Sequence, residues 1–230
     1  MQAIPPLDLV LYVAFPYTAI ILAIVVGVAR YRNNRFTYSS LSSQFLENRE
    51  LFWGSVPWHY GIIAILTAHL LALLLPTLWV GLLADPLRLY VLEITGLALA
   101  VMALVGLALL LARRLSNQRA LTVTSAMDWV LLVDLLVQVG LGIAVAVFYR
   151  WGSDWYLQTP VPWLISLATL NPQVQYVTVL PWLPQLHILN GVLLFAIFPF
   201  TRLVHFVTFP ITYLWRPYQV TLWNNRPRTG

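Results

Sequence analysis

The chain has 230 residues, of which 60% are hydrophobic and only 9% are charged, whereas a soluble domain is normally about a quarter charged. All thirteen basic residues are arginine, and they are scattered over short segments rather than gathered on one face, so the formal charge of +5 does not indicate a nucleic-acid partner. The chain has no cysteine, which excludes disulfides, Cys-held zinc or iron–sulfur clusters and a covalently attached c-type haem.

Long stretches of the chain carry no charge. There is no charged residue between Asp8 and Arg30, and between Glu50 and Asp85 the only side chains that titrate near neutral pH are two histidines. Such stretches exceed the roughly 20 apolar residues that cross a bilayer, and a backbone in lipid satisfies its hydrogen bonds by forming a helix. No basic residue precedes the first stretch, so a cleaved signal peptide is not expected. We predict an all-α integral membrane protein, one domain over residues 1–230, with five transmembrane helices at Leu7–Ala29, Pro57–Val80, Leu87–Ala112, Ala126–Tyr149 and Leu186–Thr208.

The arginines predict how these helices are oriented. Only Arg88 and Arg150 fall on one side of the membrane, and the other eleven fall on the opposite side. Because basic residues mark the cytoplasmic side, we predict an N-terminus outside and a short cytoplasmic C-terminal tail, in a bacterial or archaeal cell membrane. The eleven cytoplasmic residues are Arg30, Arg32, Arg35, Arg49, Arg113, Arg114, Arg119, Arg202, Arg216, Arg226 and Arg228.

The connection between the fourth and fifth helices, Trp151–Gln185, lies outside in this topology. Its apolar middle, Pro162–Leu170, is too short to span the bilayer, so we predict an interfacial segment that covers the outer end of the bundle. Four tryptophans of the connection are expected in the aromatic belt at the membrane surface, namely Trp151, Trp155, Trp163 and Trp182.

All four histidines fall in two of the predicted helices. His59 and His69 lie in the second, and His187 and His205 lie in the fifth. An ionisable side chain within a membrane is a functional candidate, although a histidine also serves as a plain interhelical hydrogen-bond partner. His187 and His205 are 18 residues apart, which on one helix is five turns, one face and ~27 Å. His59 and His69 are 10 residues apart, or ~15 Å, with an offset of roughly 80° around the helix.

Antiparallel packing of the second and fifth helices pairs His59 with His205 near the cytoplasm and His69 with His187 near the outside. Neither pair has an adjacent carboxylate or thiolate of the kind that a zinc or di-iron site uses. Two imidazoles complete a six-coordinate haem, which suits electron transfer because no coordination position stays open. The pairs therefore predict two b-type haems within the bundle, an inner and an outer one.

Several other residues are candidates for the surroundings of these haems. Arg113, Arg114 and Arg202 are placed to meet the propionates of the inner haem, or they serve topology alone. Six glycines would let haem rings approach the backbone or let helices pack closely, namely Gly61, Gly96, Gly106, Gly140, Gly142 and Gly191.

Two aspartates of the fourth helix need partners. Asp134, with Gln138 one turn later, should face the bundle interior, either as a proton relay, as a partner of a haem ligand or in an interhelical hydrogen bond. Asp128, near the inner end of the helix, is expected to interact with the positive end of the helix dipole.

An ordered set of short motifs extends over nearly the whole chain. The set comprises Ser42-Ser43-Gln44, His59 and His69 ten residues apart, Leu111–Leu115 with its arginine pair, Asp128 followed by Gln138, the run Phe198–His205 and the run Tyr213–Gln219. With these motifs the chain resembles the gamma subunit of respiratory nitrate reductase, a membrane cytochrome b.

The resemblance implies that the four histidines are axial haem ligands in the pairing given above. It also implies that a quinol is oxidised near the outer haem and that electrons pass inward to cytoplasmic partners, an iron–sulfur beta subunit and a molybdenum-containing catalytic alpha subunit. These partners would dock on the loops Tyr31–Val56 and Arg113–Ser125 and on the tail after Phe209. Aromatic and arginine side chains typical of interfaces are found in that tail at Trp215, Tyr218, Trp223 and Arg226.

The expected quinol site departs from the family at one position. Some members have a lysine in the second outer loop that assists quinol binding, and here Arg88 falls at or next to that position. Arginine can donate a hydrogen bond to a quinone oxygen, but it does not accept a proton at ordinary pH. Asp85 and Glu93 are the candidates for taking that proton, or they pair with Arg88, and helix 2 around Ala72 is expected to line the site.

Two other functions stay open. One is a cytochrome b anchor of another quinone-linked reductase or hydrogenase complex, which the identity of copurifying subunits would reveal. The other is a proton channel or transporter without a cofactor, which would lack haem absorption.

Overall fold

The computed structural model describes residues 5–38 and 49–207, and every regular element within these ranges is helical. In chain order the α-helices are α1 (Pro6–Asn33), α2 (Arg49–Leu74), α3 (Pro76–Leu83), α4 (Pro86–Ser116), α5 (Gln118–Thr122), α6 (Ala126–Phe148), α7 (Gly152–Gln158), α8 (Pro160–Ala168), α9 (Gln175–Thr178) and α10 (Trp182–Ile197). Short 3₁₀ turns occupy Arg35–Thr37, Phe198–Phe200 and Arg202–Phe206. The predicted motifs at 42–44 and 213–219 and the docking tail lie outside the described residues.

Five helices, α1, α2, α4, α6 and α10, are long and apolar enough to cross a membrane, which confirms the predicted multi-pass membrane protein. Both predicted bounds of the second span are wrong, because α2 begins at Arg49 and ends at Leu74 instead of running from Pro57 to Val80. The predicted end of the third span is wrong as well, because α4 continues past Ala112 to Ser116. Pro76 lacks a backbone N–H and disfavours the helical conformation in the residue before it, so the chain breaks at Leu75 and restarts as α3.

The five helices pack in the order α2, α4, α6, α10 and α1, each chiefly against the next. The core between α2, α4 and α6 is formed by Trp58, Ala103, Leu107, Leu131, Leu132, Leu135 and Val139. The helices α2 and α10 carry three of the four histidines, and they are not among the closely packed pairs.

Small residues bring α2 and α4 into close contact. A Cβ atom at Gly106 would lie 2.6 Å from the backbone nitrogen of Trp58, and one at Gly61 would lie 2.7 Å from the backbone oxygen of Leu99. These two glycines therefore allow α2 and α4 to pack closely, which is one of the two roles predicted for them. At Gly96 and Gly140, by contrast, an added Cβ atom would have nothing within 4 Å.

Replacing Gly106 by valine should destabilise the bundle, because its added carbons would overlap the backbone of α2, which cannot move aside as a side chain can. We expect a loss of about 3 kcal/mol, at the upper end for overpacking, together with a lower yield of monodisperse protein in detergent. Thermal unfolding of the purified protein measures the effect. Gly96→Val in the same helix is the matched control and should be tolerated, so equal losses in both variants would contradict this packing argument.

The predicted interfacial segment Pro162–Leu170 corresponds to helix α8, which lies with α7 and α9 at one end of the bundle. We call this end, with residues 149–181, the loop end. Trp163 is 2% exposed and its indole N–H donates to the backbone oxygen of Tyr12 at 3.1 Å. Tyr12, whose carbonyl accepts this hydrogen bond, lies within a π-helical turn over Val10–Ala14.

The opposite end holds Arg30, Arg114 and Arg202, and we call it the arginine-rich end. Here the prediction of one continuous last helix is wrong. The helix α10 ends at Ile197, Thr201 is extended, and His205 lies in the following 3₁₀ turn. Pro199 cannot continue the helical hydrogen bonding, and the guanidinium of Arg30 donates to the freed carbonyls of Pro199 and Thr201 at 2.8 and 3.0 Å. His187 and His205 therefore do not share one helix face at a five-turn spacing.

Candidate functional site

Two histidine rings face each other at the arginine-rich end. The ring centroids of His59, on α2, and His205 are 6.2 Å apart, and the ring planes make an angle of 68°. Two metal–nitrogen bonds of about 2 Å, together with the ring radius on either side, separate two imidazole centroids by about 6 Å. The spacing of these rings therefore matches that of two axial ligands on one metal ion.

Backbone carbonyls orient three of the four imidazoles through Nδ1. The Nδ1 atoms of His59, His69 and His205 lie 2.7, 2.9 and 2.6 Å from the carbonyl oxygens of Ser55, Ile65 and Arg202 respectively. A carbonyl accepts but does not donate, so Nδ1 carries the proton and Nε2 carries the lone pair. Each of these rings is thus held in the tautomer that binds a metal through Nε2.

The other two histidines lie nearer the loop end. The ring of His69 packs against the Tyr156 ring at 5.3 Å. His187, on α10, lies over Gly142 of α6, where an added Cβ atom would come within 3.1 Å of the imidazole Cε1. Its Nδ1 is buried without a hydrogen-bond partner, although the backbone of Gln138 is nearby. Gly142 therefore makes room for this imidazole.

Two of the three arginines predicted to meet propionates lie beside one carboxylate. The Nε atom of Arg202 lies 2.7 Å from Asp128 Oδ1, and Arg114 Nη1 lies 3.9 Å from Asp128 Oδ2. Arg113 is buried beside Arg114 in the last turn of α4. As predicted, Asp128 also lies in the first turn of its helix, where it forms a capping box with Ser125.

The residues predicted for the quinol site lie together at the loop end, each with a structural contact. Asp85 caps α4 by accepting from the backbone N–H of Arg88 at 3.0 Å, and its carboxylate is 4.0 Å from the Arg88 guanidinium. Both side chains are about half exposed, so this ion pair contributes little to stability. Glu93 accepts a hydrogen bond from the backbone N–H of Ser153 at 2.8 Å, which ties α7 to α4.

Tyr156, in α7 at the loop end, was not among the site residues predicted from the sequence. Besides its ring contact with His69, its hydroxyl donates to the backbone oxygen of His69 at 3.4 Å. Burial raises the pKa of Tyr156 to about 12, so the hydroxyl stays protonated and serves as a donor at ordinary pH. The two residues are 87 positions apart, and no local pattern links them.

A polar group lies in the middle of the bundle between α6 and α10. Asn190 donates to the Gln138 side chain at 3.0 Å and to the backbone oxygen of Asp134 at 3.3 Å, which links α10 to α6, whereas Oδ2 of the Asp134 carboxylate is buried without a hydrogen-bond partner. Asp134 is 8% exposed and faces the interior as expected. Asn190 was missed, although its position one turn after His187 on the same helix is a signal that could have found it.

The arrangement fits haem better than a metal ion held by side chains alone. Within residues 5–38 and 49–207 no group of three or more His, Asp or Glu side chains is placed to hold a metal. Instead His59 faces His205 from a different element, and His69 and His187 lie nearer the loop end on two helices that do not pack closely together. A flat ring with two axial imidazoles needs this arrangement, and arginines at one end suit its carboxylates.

Comparisons with known proteins agree with the predicted resemblance. The model of the nitrate reductase gamma subunit family matches residues 8–224. The chain is 31% identical over 217 residues to the nitrate reductase gamma chain of Bacillus subtilis, covering 92% of this chain and 96% of that one. It is 29% identical over 219 residues to the respiratory nitrate reductase 1 gamma chain of Escherichia coli, covering 93% and 96%.

A third relative is longer. The chain is 32% identical over 209 residues to the nitrate reductase-like protein NarX of Mycobacterium tuberculosis, which covers 88% of this chain but only 32% of that protein. This chain therefore spans about a third of the length of NarX, and nearly the whole length of the gamma chains. The family match, the identities and the shared extent confirm the resemblance: the chain belongs to the nitrate reductase gamma subunit family.

Proposed function

We propose that this protein is a dihaem cytochrome b that oxidises quinol and passes electrons to the iron–sulfur and molybdenum subunits of a nitrate reductase. The observation that carries the proposal is the facing pair His59 and His205, with ring centroids 6.2 Å apart and both Nδ1 atoms on backbone carbonyls. His59 and His205 would hold one haem b, and His69 and His187 the other. When bound, the haems supply one-electron transfer, and two axial imidazoles favour this over oxygen chemistry.

The direction of transfer follows from the distribution of charge. Contacts among Arg30, Thr201, Arg202, Asp128 and Arg114 put these arginines at one end, which we assign to the cytoplasm. The pair His59 and His205 is then the inner one, beneath the soluble partners. The loop end faces outward and receives quinol from the membrane.

At the loop end, the chain's own residues would bind quinol and receive its protons. Arg88 can donate a charge-assisted hydrogen bond to a quinol oxygen. Asp85 and Glu93 each accept one backbone hydrogen bond, and Asp85 is the better placed proton acceptor because it is half exposed and lies beside Arg88. Protons released outside while electrons move inward contribute to the membrane potential.

An absorption spectrum of the protein purified from native membranes tests the proposal. We expect a Soret band, reduced-minus-oxidised b-type bands and two haems per chain, since two imidazole pairs hold two irons. Mass identification of copurifying chains should find iron–sulfur and molybdenum subunits. A pure, folded chain without a Soret band would leave a channel or transporter as the explanation, and different partner subunits would indicate another reductase.

A further inference from the structure

We infer that Asp128 is a positioning residue for His205, and that it acts on this ligand through Arg202. The inference rests on the proposed haem ligation by His205. From the sequence, Asp128 was expected only to interact with the positive end of its helix dipole. The inference gives it a second role, in orienting an axial ligand of the inner haem.

The contacts form a short chain of two links. Asp128 Oδ1 lies 2.7 Å from Nε of Arg202, and the carbonyl oxygen of the same Arg202 lies 2.6 Å from Nδ1 of His205. Arg202 is further held by a hydrogen bond from Nη2 to the carbonyl of Val123 at 2.8 Å. The side chain of Arg202 thus fixes the residue whose backbone orients the imidazole.

The 3₁₀ turn that carries His205 needs such an attachment. It follows the break at Thr201 and is not a continuation of α10, so the rigidity of a long helix does not set the position of the imidazole. Thr201 caps the turn by accepting from the backbone N–H of Leu203 at 3.3 Å. The ion pair to Asp128 adds a tie to α6, which lies beside α10 in the bundle.

Asp128 is buried, so its ion pair with Arg202 is shielded from solvent. Asp128 is 4% exposed, and its second oxygen accepts from the backbone N–H of Ser125 at 2.8 Å and faces Arg114 at 3.9 Å. A buried carboxylate is retained only with such partners, and removing one partner leaves the other charge uncompensated. Loss of the carboxylate should therefore displace Arg202 and, with it, the turn that holds His205.

Asp128→Asn separates the positioning role from the capping role. Asparagine keeps the size of the side chain and an oxygen for the Ser125 N–H, but it cannot balance the charge of Arg202. Ser125→Ala is the matched variant, because it removes the hydroxyl that caps α6 and leaves Asp128 and Arg202 paired. Asp134→Asn, which alters another buried carboxylate of α6, controls for general effects of losing such a charge.

The readouts are the low-spin electron paramagnetic resonance signals and the midpoint potentials of the two haems in the whole purified complex. We expect Asp128→Asn to move the inner signal, which reports the orientation of the axial imidazoles, and to raise the inner potential because a negative charge is lost. Arg202→Gln breaks the same pair from the other side and should move the same signal. The outer haem should keep its signal and potential in both variants, and Ser125→Ala and Asp134→Asn should leave the inner signal in place.

Two results would overturn the inference while leaving the proposed function intact. One is an unchanged inner signal in Asp128→Asn, which together with a changed potential would indicate charge acting through space. The other is a shift of equal size in Ser125→Ala. If Asp128→Asn does not accumulate, Arg202→Gln decides by the same criteria. Absence of haem from the unsubstituted protein would instead overturn the proposed function, and this inference with it.

Discussion

Replacing His205 by alanine should remove one haem of two and leave the other spectrally normal, and replacing His59 should remove that same haem. Each imidazole supplies one of two axial bonds, and the facing rings of His59 and His205, 6.2 Å apart, have no other histidine of the described chain between them. Without one ligand the haem loses its six-coordinate, low-spin state and is retained poorly. We expect haem content to fall by about half in each variant, measured by the pyridine haemochrome method against protein mass.

The pairing is tested by comparing all four histidine variants. His69→Ala and His187→Ala should both lose the outer haem and its spectroscopic signals, and both should keep the inner haem. The control is Tyr60→Ala, because Tyr60 is next to His59 but 71% exposed, and this variant should keep both haems. If the His59 variant lost the same haem as the His187 variant, the proposed cross-pairing would be wrong.

Replacing Arg88 by alanine should slow quinol-dependent reduction of the haems by about tenfold. A hydrogen bond from a charged donor contributes about 1.5–3 kcal/mol, and the lower end applies here because the side chain is half exposed. Stopped-flow absorbance at the b-type bands measures the rate with a soluble quinol analogue. Both haems should be present with normal spectra, since Arg88 touches neither histidine pair in the described contacts.

The matched control for this variant is Arg150→Ala. Arg150 is the other arginine on the predicted outer side, it is also exposed, and it follows the end of α6. Its loss should leave quinol-dependent reduction unchanged, as should reduction by an artificial donor that reaches the soluble subunits directly. Equal slowing in both arginine variants would indicate a general charge effect, and no slowing in either would remove Arg88 from the proposed site.

Composition and periodicity determined much of the architecture. Apolar stretches without charge can satisfy their backbone only as membrane-spanning helices, so the five helices were predictable. The end of α4 was not, because the helix continues past the predicted Ala112 to Ser116 and includes Arg113 and Arg114. That α8 would not be a further membrane span was predictable for a related reason, because its apolar run is too short to cross a bilayer. The motifs around His59, His69 and His205 likewise predicted the family.

The sequence failed where one contact decides between two local conformations. The residues after Ile197 are apolar enough to continue a helix, and Pro199 alone does not say whether the helix bends or ends. The guanidinium of Arg30, which is 169 positions away from Pro199 in the chain, stabilises the break by donating hydrogen bonds to its carbonyls. The assumption of one continuous last helix therefore placed His205 correctly near the arginine-rich end of the bundle, although that helix ends at Ile197.

What the sequence by itself determined is the set of spans, the histidines that can serve as ligands and the family, because these depend on hydrophobic length, residue type and order along the chain. What only the tertiary structure decided is how the side chains are held. The pairing of Asp128 with Arg202, the ring contact of Tyr156 with His69 and the space over Gly142 for His187 all join residues on different elements. Such contacts depend on the rotation and depth of each helix against its neighbours, and packing sets these only when the whole bundle has formed.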